Sequence, residues 1–210
     1  IRRPVSGGEQ VMPTAVFPAA DIGMSVRLWP HAAFAFDIAM RYQTSLGLTV
    51  EEHPLFALPN QVDVRAEHVE LGVAPSWRMS DGIESGRFSI PVGMTLRNFW
   101  PAVHQLQTPR YTLFGPFVRV ELDFPLGSIA RLRFGPEAQM FFVAGTDLTE
   151  YGIGSPGFAI GAEASLDFRL TERFLVELRY RQSNALASSE GSTSFLDVER
   201  FLTACLAGEM

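Results

Sequence analysis

A chain of 210 residues has the length of one domain, and a 47% hydrophobic content with aromatics dominated by Phe supplies a large apolar surface. Yet no window approaches the roughly 18 consecutive apolar residues of a membrane-crossing helix, so that class is excluded. The net charge of −6, with no basic stripe interleaved with aromatics, argues against nucleic acid as a partner, and the single cysteine, Cys205, excludes an intramolecular disulfide and a cysteine-based zinc site.

Residues 1–20 carry Pro4, Gly7, Gly8, Pro13 and Pro18 and predict an irregular lead-in or a partial first strand. The opening IRRPVSGGEQ lacks the apolar segment of a signal peptide, so an exported precursor is expected to have lost its leader ahead of Ile1. From Ile22 a two-residue period begins. Ile22, Met24, Val26 and Leu28 share one face and Ser25, Arg27 and Trp29 the other, up to Pro30 and His31. Phe34, Phe36, Ile38, Met40 and Tyr42 then oppose Asp37, Arg41 and Gln43, which makes a hairpin. A long connection, 44–60, with Gly47, Pro54 and Pro59, leads to a strand from about Gln61 to Met79. There Val62, Val64 and Ala66 stand out of phase with Val69, Leu71 and Val73, and a β-bulge near Glu67 and His68 is expected to restore the phase. After 80–86, Phe88, Ile90, Val92, Met94 and Leu96 oppose Arg87, Ser89, Gly93, Thr95 and Arg97, ending at Trp100 and Pro101.

Beyond the loop at 102–110, Phe114, Pro116, Val118, Val120, Leu122 and Phe124 oppose Gly115, Phe117, Arg119, Glu121 and Asp123. A tight turn at 125–128 leads to Leu132, Phe134, Ala138, Met140 and Phe142 against Arg131, Arg133, Glu137 and Gln139. Pro116 and Pro136 fall inside these runs, where each removes a ladder donor, and bulges are expected at both. The loop at 145–156 is followed by the longest alternation, FAIGAEASLDFRLTERFLVELRYRQ from Phe158 to Gln182. Phe158, Ile160, Ala162, Ala164, Leu166, Phe168 and Leu170 oppose Ala159, Gly161, Glu163, Ser165, Asp167 and Arg169. This run is about twice the usual strand length of roughly 5–6 residues. After the turn at 171–173, Phe174, Val176, Leu178 and Tyr180 oppose Glu177, Arg179 and Arg181. A Ser/Ala/Gly loop at 184–194 and a last run from Phe195 to Leu206 complete the chain.

One face of these runs is aliphatic and ends in aromatics; the other mixes Gly, Ala and Ser with Glu, Asp and Arg. Lipid outside and a polar lumen inside require that combination, which predicts an all-β, closed, antiparallel up-and-down transmembrane β-barrel over 1–210. Two regularities strengthen the reading. Connections alternate between short, periplasmic turns and longer, extracellular loops. Aromatics on the apolar face gather at both strand ends: Phe34, Phe88, Phe124, Phe168 and Phe174 near the short turns, and Tyr42, Trp100, Phe142, Phe158 and Tyr180 near the long loops. A water-soluble β-sandwich is the competing explanation of the alternation, and it leaves the two aromatic girdles unexplained.

The strand pattern and loop rhythm over roughly residues 20–206 make the chain resemble the small outer-membrane barrels of the OmpA-like family. That resemblance implies a Gram-negative outer membrane as location, with lipid and lipopolysaccharide as surroundings. Barrels of that family end in a strand with a terminal aromatic, whereas this chain ends FLTACLAGEM, with Leu202, Ala204 and Leu206 in phase but Met210 last. Nine runs are visible, and bacterial single-chain barrels are even-stranded. About ten strands are therefore expected, with the first weak or lying before Ile1, and eight as the alternative. Pairing of 195–206 with Ile22–Trp29 would rule out the tenth.

The inward face predicts a nearly balanced ionic network of Arg27, Asp37, Arg41, Glu70, Arg97, Arg119, Glu121, Asp123, Arg131, Arg133, Glu137, Glu163, Asp167, Arg169, Glu177, Arg179 and Arg181. In a narrow lumen such charges are expected to pair as a plug. His31, His53, His68 and His104 show no metal-ligand spacing, so neither a metal nor a cofactor is expected. Some barrels that this chain resembles modify lipids with a His, Ser and acid set, which makes His68, beside Glu67 and Glu70, the one candidate for chemistry. Asp147 and Glu150, with Thr146 and Thr149, form an acidic loop without EF-hand spacing. Three function classes stay open. The first is a non-enzymatic structural, anchoring or docking barrel, alone or within a larger envelope assembly. A narrow passive pore for small solutes is the second, and a lipid-modifying enzyme the third.

Overall fold

The computed structural model describes residues 2–5, 8–11, 17–29, 33–52, 60–80, 85–101, 110–144, 156–171, 174–188 and 194–208. A two-residue period keeps each set of side chains on one side only when the backbone is extended. The described residues accordingly form fourteen strands and no helix. They are β1 (Arg2–Val5), β2 (Gly8–Val11), β3 (Phe17–Leu28), β4 (Phe34–Ser45), β5 (Leu48–Glu52), β6 (Asn60–Arg78) and β7 (Arg87–Ser89). The rest are β8 (Val92–Pro101), β9 (Tyr111–Arg119), β10 (Glu121–Pro125), β11 (Ala130–Ala144), β12 (Gly157–Arg169), β13 (Phe174–Ser188) and β14 (Ser194–Gly208). All belong to one sheet.

Several segments join end to end. β4 and β5 lie antiparallel on the same edge of β6, Thr44 opposite Glu67 and Leu48 opposite Val64. Three residues, Ser45, Leu46 and Gly47, therefore face two, Arg65 and Ala66. This is a bulge, with Gly47 at φ 64° and the Ser45 hydroxyl accepting the Ala66 N–H at 2.9 Å. The bulge expected in β6 at Glu67 and His68 thus sits on the facing strand, and β6 keeps an unbroken register with β4 and β8 through both residues. Val62, Val64 and Ala66 need no slip, because they share the buried face with His68 and Glu70.

β7 and β8 are one run across Ile90 and Pro91, since Ser76↔Ser89 and Val73↔Val92 keep the same register. β9 and β10 are likewise one run across Val120, whose N–H reaches the Pro136 carbonyl at 3.1 Å. No bulge forms at Pro116 or Pro136. Both rings lie on the exposed face, and a missing donor costs a ladder bond without adding a residue.

The sheet is therefore a meander of nine runs: β3, β4/β5, β6, β7/β8, β9/β10, β11, β12, β13 and β14, each antiparallel to the next. β14 also pairs with β3, in parallel, at Phe201↔Phe17 and Leu202↔Pro18. An odd number of runs makes the first and last point the same way. In place of the expected ten or eight, the count among the described residues is nine: β1 and β2 pair with each other as two short strands and touch the meander at Arg2↔Leu196. The last run meets β3 ahead of Ile22–Trp29. Strand extension also shortens two expected loops, since β5 occupies part of 44–60 and β13 continues to Ser188.

The two faces reverse the arrangement of a water-soluble protein. Ile22, Met40, Leu71, Phe158, Ile160 and Leu202 are more than half exposed, whereas Arg97, Arg119, Arg181, Glu70 and Glu137 are buried. The sheet curls far enough that β13 and β6, separated by β14, β3 and β4, touch through their polar faces.

Candidate functional site

On the buried face the side chains change character along each strand, and they change together. Nearest the connections 53–59, 102–110, 145–156 and 189–193 lies an apolar tier: Val64 and Ala66 of β6, Phe99 of β8, Tyr111 and Leu113 of β9, Phe141 of β11, Ala159 of β12 and Ala185 of β13. Phe99 and Tyr111 stack with centroids 5.1 Å apart. Phe141 is fully buried over Gly157, where any Cβ would collide with its ring. Small residues on β12 and β13 leave the volume that the aromatics of β8, β9 and β11 fill.

One to three inward positions further along these strands the face becomes ionic. Arg181 of β13 donates to Glu70 of β6 at 2.7 Å and also bonds Glu137 of β11. Arg119 of β9 donates to Glu70 at 3.0 Å and, through Nε, to Glu137 at 3.0 Å. Its guanidinium lies 5.6 Å over the ring of Phe117, which points inward into space that Gly72 leaves open. Arg97, 2% exposed, donates to Ser183 at 2.8 Å and stands 3.6 Å from Glu137. Alongside, Arg41 binds Asp21 and reaches Glu163 at 3.2 Å, while Arg179 contacts Asp21 at 3.3 Å, Glu163 at 3.4 Å and Glu177. Arginine forks bridge carboxylates on different strands in a way a point charge cannot, and all 17 basic residues of the chain are arginine.

At the turn end the pairs are wetter. Arg133 holds Asp167 at 2.8 Å and Glu177 at 2.9 Å, Arg131 grips Asp123 through two bonds, and Arg27 does the same to Asp37. Arg27 and Arg131 are 42% and 40% exposed. Of the seventeen residues assigned to the network, fifteen thus meet a partner on this face. Glu121 is half-buried opposite Ser89, and Arg169 is exposed at its strand end; no ion pair joins either to the described residues.

Asp21 belongs to this network and not to the predicted one, although carrying the alternation of Ile22–Leu28 one residue back places it inward. His68 is 3% exposed. Arg181 can only donate, so Nδ1 of His68 accepts its bond at 2.7 Å, and Nε2–H is left to donate to Thr95 Oγ1 at 2.6 Å. Glu70 stands 3.5 Å away, but Glu67, expected beside His68, points to the opposite face and bonds Tyr42 and Arg65. Strand alternation separates the two. His31, His53, His104 and the loop residues Thr146, Asp147, Thr149 and Glu150 lie outside the described residues, among which no metal-binding cluster occurs.

On the exposed face, rings line the turn end of six neighbouring runs. Trp29 lies 6.5 Å from Phe34, Phe34 lies 5.5 Å from Trp77, and Trp77 lies 5.9 Å from Phe88; Phe124 stacks on Phe134 at 6.0 Å. Trp29, expected on the polar face, joins this row because its φ of 55° breaks the alternation at the strand end. At the other end stand Tyr42, Trp100 under Arg110 at 4.9 Å, Phe142, Phe158 and Tyr180. Phe168 is exposed near its turn, and the side chain of Phe174 lies outside the described residues. No protein-family model matches the chain, and no curated protein matches it.

Proposed function

We propose that the chain closes into a transmembrane β-barrel of a Gram-negative outer membrane, in the manner of the OmpA-like barrels it resembles, and serves as a structural, anchoring or docking component of the envelope. The observation that carries this reading is the inversion of burial, with large aliphatics and aromatics exposed on one face and a many-membered Arg–carboxylate network buried on the other. Water would make that exposed face an aggregation surface; lipid makes it the stable one. Ring rows at both strand ends fit headgroup depth, and lipid and lipopolysaccharide are then its immediate surroundings. Within the barrel, a dry ionic tier backed by an apolar tier fills the lumen, which favours a structural role over conduction.

The turn-end arginines give a narrow pore its one supporting observation, because Arg27 and Arg131 stay accessible. Two measurements separate the readings. Refolded in detergent or vesicles, the chain should show β circular dichroism and migrate faster on a gel before boiling than after. A stable detergent-free monomer would end the membrane proposal. In planar bilayers the barrel should carry little or no current, and steady single-channel steps would transfer the assignment to a pore.

A further inference from the structure

Nine runs leave one seam unlike the others. Every other neighbouring pair is antiparallel, whereas β14 and β3 run parallel and bond only at Phe201↔Phe17 and Leu202↔Pro18. Beyond that contact, Ala19–Leu28 pairs with β4 on one edge and 203–208 with β13 on one edge. No backbone pairing joins the two stretches among the described residues. β3 is correspondingly bare. Ile22 and Met24 are 72% and 67% exposed, and Gly23 and Ser25, on the face that other strands bury, are exposed as well. Side chains span the seam where backbone does not, because Arg179 of β13 holds Asp21 of β3 and Arg41 of β4 reaches Glu163 of β12.

Two facing edges that run parallel accept one strand antiparallel to both, which would turn nine runs into ten with every neighbour antiparallel. Further along the same edge of β14, β1 already takes that orientation at Arg2↔Leu196. We propose that the open stretch of this seam, Ala19–Leu28 facing 203–208, is a docking site for an extended β-strand of a partner protein. The proposal rests on the barrel reading. Chemistry follows from the flanks: Ile22, Met24, Val26 and Leu202 face outward, so alternate residues of the incoming strand are apolar. Gly23, Ser25 and Thr203 face the other way, so the intervening residues are small or polar.

The test uses the full chain, refolded in phospholipid vesicles, with Cys205→Ser and one benzophenone-labelled cysteine at either Met24→Cys or Met40→Cys. Met40 is a demanding control, being 51% exposed but on a run paired along both edges. The probe is a biotinylated peptide copying Phe34–Ser45, which has the required alternation and already pairs antiparallel with β3. Photocapture at position 24 should exceed capture at position 40, and capture of a scrambled peptide at 24, by about tenfold. Equal capture at both positions, or none at 24 in a chain that keeps its heat-modifiable migration, would overturn the docking site and leave the barrel standing. A 24–24 crosslinked dimer without peptide would assign the edge to a second copy and also overturn it. Loss of heat-modifiable migration would count against the barrel itself, and with it the seam.

Discussion

Arg181 and Arg27 occupy equivalent inward positions on long strands, and each holds a carboxylate through short bonds, yet their surroundings differ. Arg181 is enclosed by Glu70, Glu137 and His68, with the apolar tier beyond, and water does not reach it. Arg27, near the turn between β3 and β4, binds Asp37 at 2.6 and 2.9 Å but remains 42% exposed. What separates them is not the pair but what stands behind it. A dry pair has paid desolvation for both ions and recovers it only while every partner stays in place; a wet pair trades one hydrated state for another.

The comparison is tested most severely by Arg181→Leu, which leaves Glu70 and Glu137 buried beside an apolar chain. A loss of about 3–5 kcal/mol is expected in urea unfolding from vesicles. Adding Glu137→Gln should return part of that loss, because it removes a buried charge that has lost Arg181 while keeping an acceptor for Arg119; a double variant weaker than the single would contradict this. In the apolar tier, Phe141→Ala should cost about 3 kcal/mol by opening a cavity. Gly157→Ala should cost less, roughly 1–3 kcal/mol, because its methyl meets the Phe141 ring and the Leu186 carbonyl. The two changes oppose each other sterically, so their combination should cost less than the sum of the singles, and strict additivity would show that the ring and the glycine do not share space.

Strand period and the identity of the polar face are legible, because alternation is a property of adjacent residues. Phase alone assigned Arg119, Glu137 and Arg181 to one side. Which carboxylate each would meet was not legible, since Arg181 and Glu70 lie 111 positions apart and touch only because the sheet curls. The bulge expected in β6 lies on the facing strand instead. Apolar character puts Val62, Val64 and Ala66 outward with Val69, Leu71 and Val73, which demands a slip in β6, but the inward face itself turns apolar at that level. Gly47, an αL-capable residue opposite the apparent slip, was the available signal.

Asp37→Asn is the mildest change and bears most directly on the difference between the two regions. It keeps the shape of the side chain and removes the charge opposite Arg27, whose guanidinium stays in contact with water and therefore loses little when its partner is neutral. A cost of about 0–1 kcal/mol is expected, shrinking further as salt rises, since screening already weakens an exposed pair. Running the same urea titration at low and high ionic strength measures both quantities. If Asp37→Asn costs as much as Arg181→Leu, or if its cost is indifferent to salt, then the turn end is as dry as the centre. The division of this face into a sealed tier and a wet one would then fall.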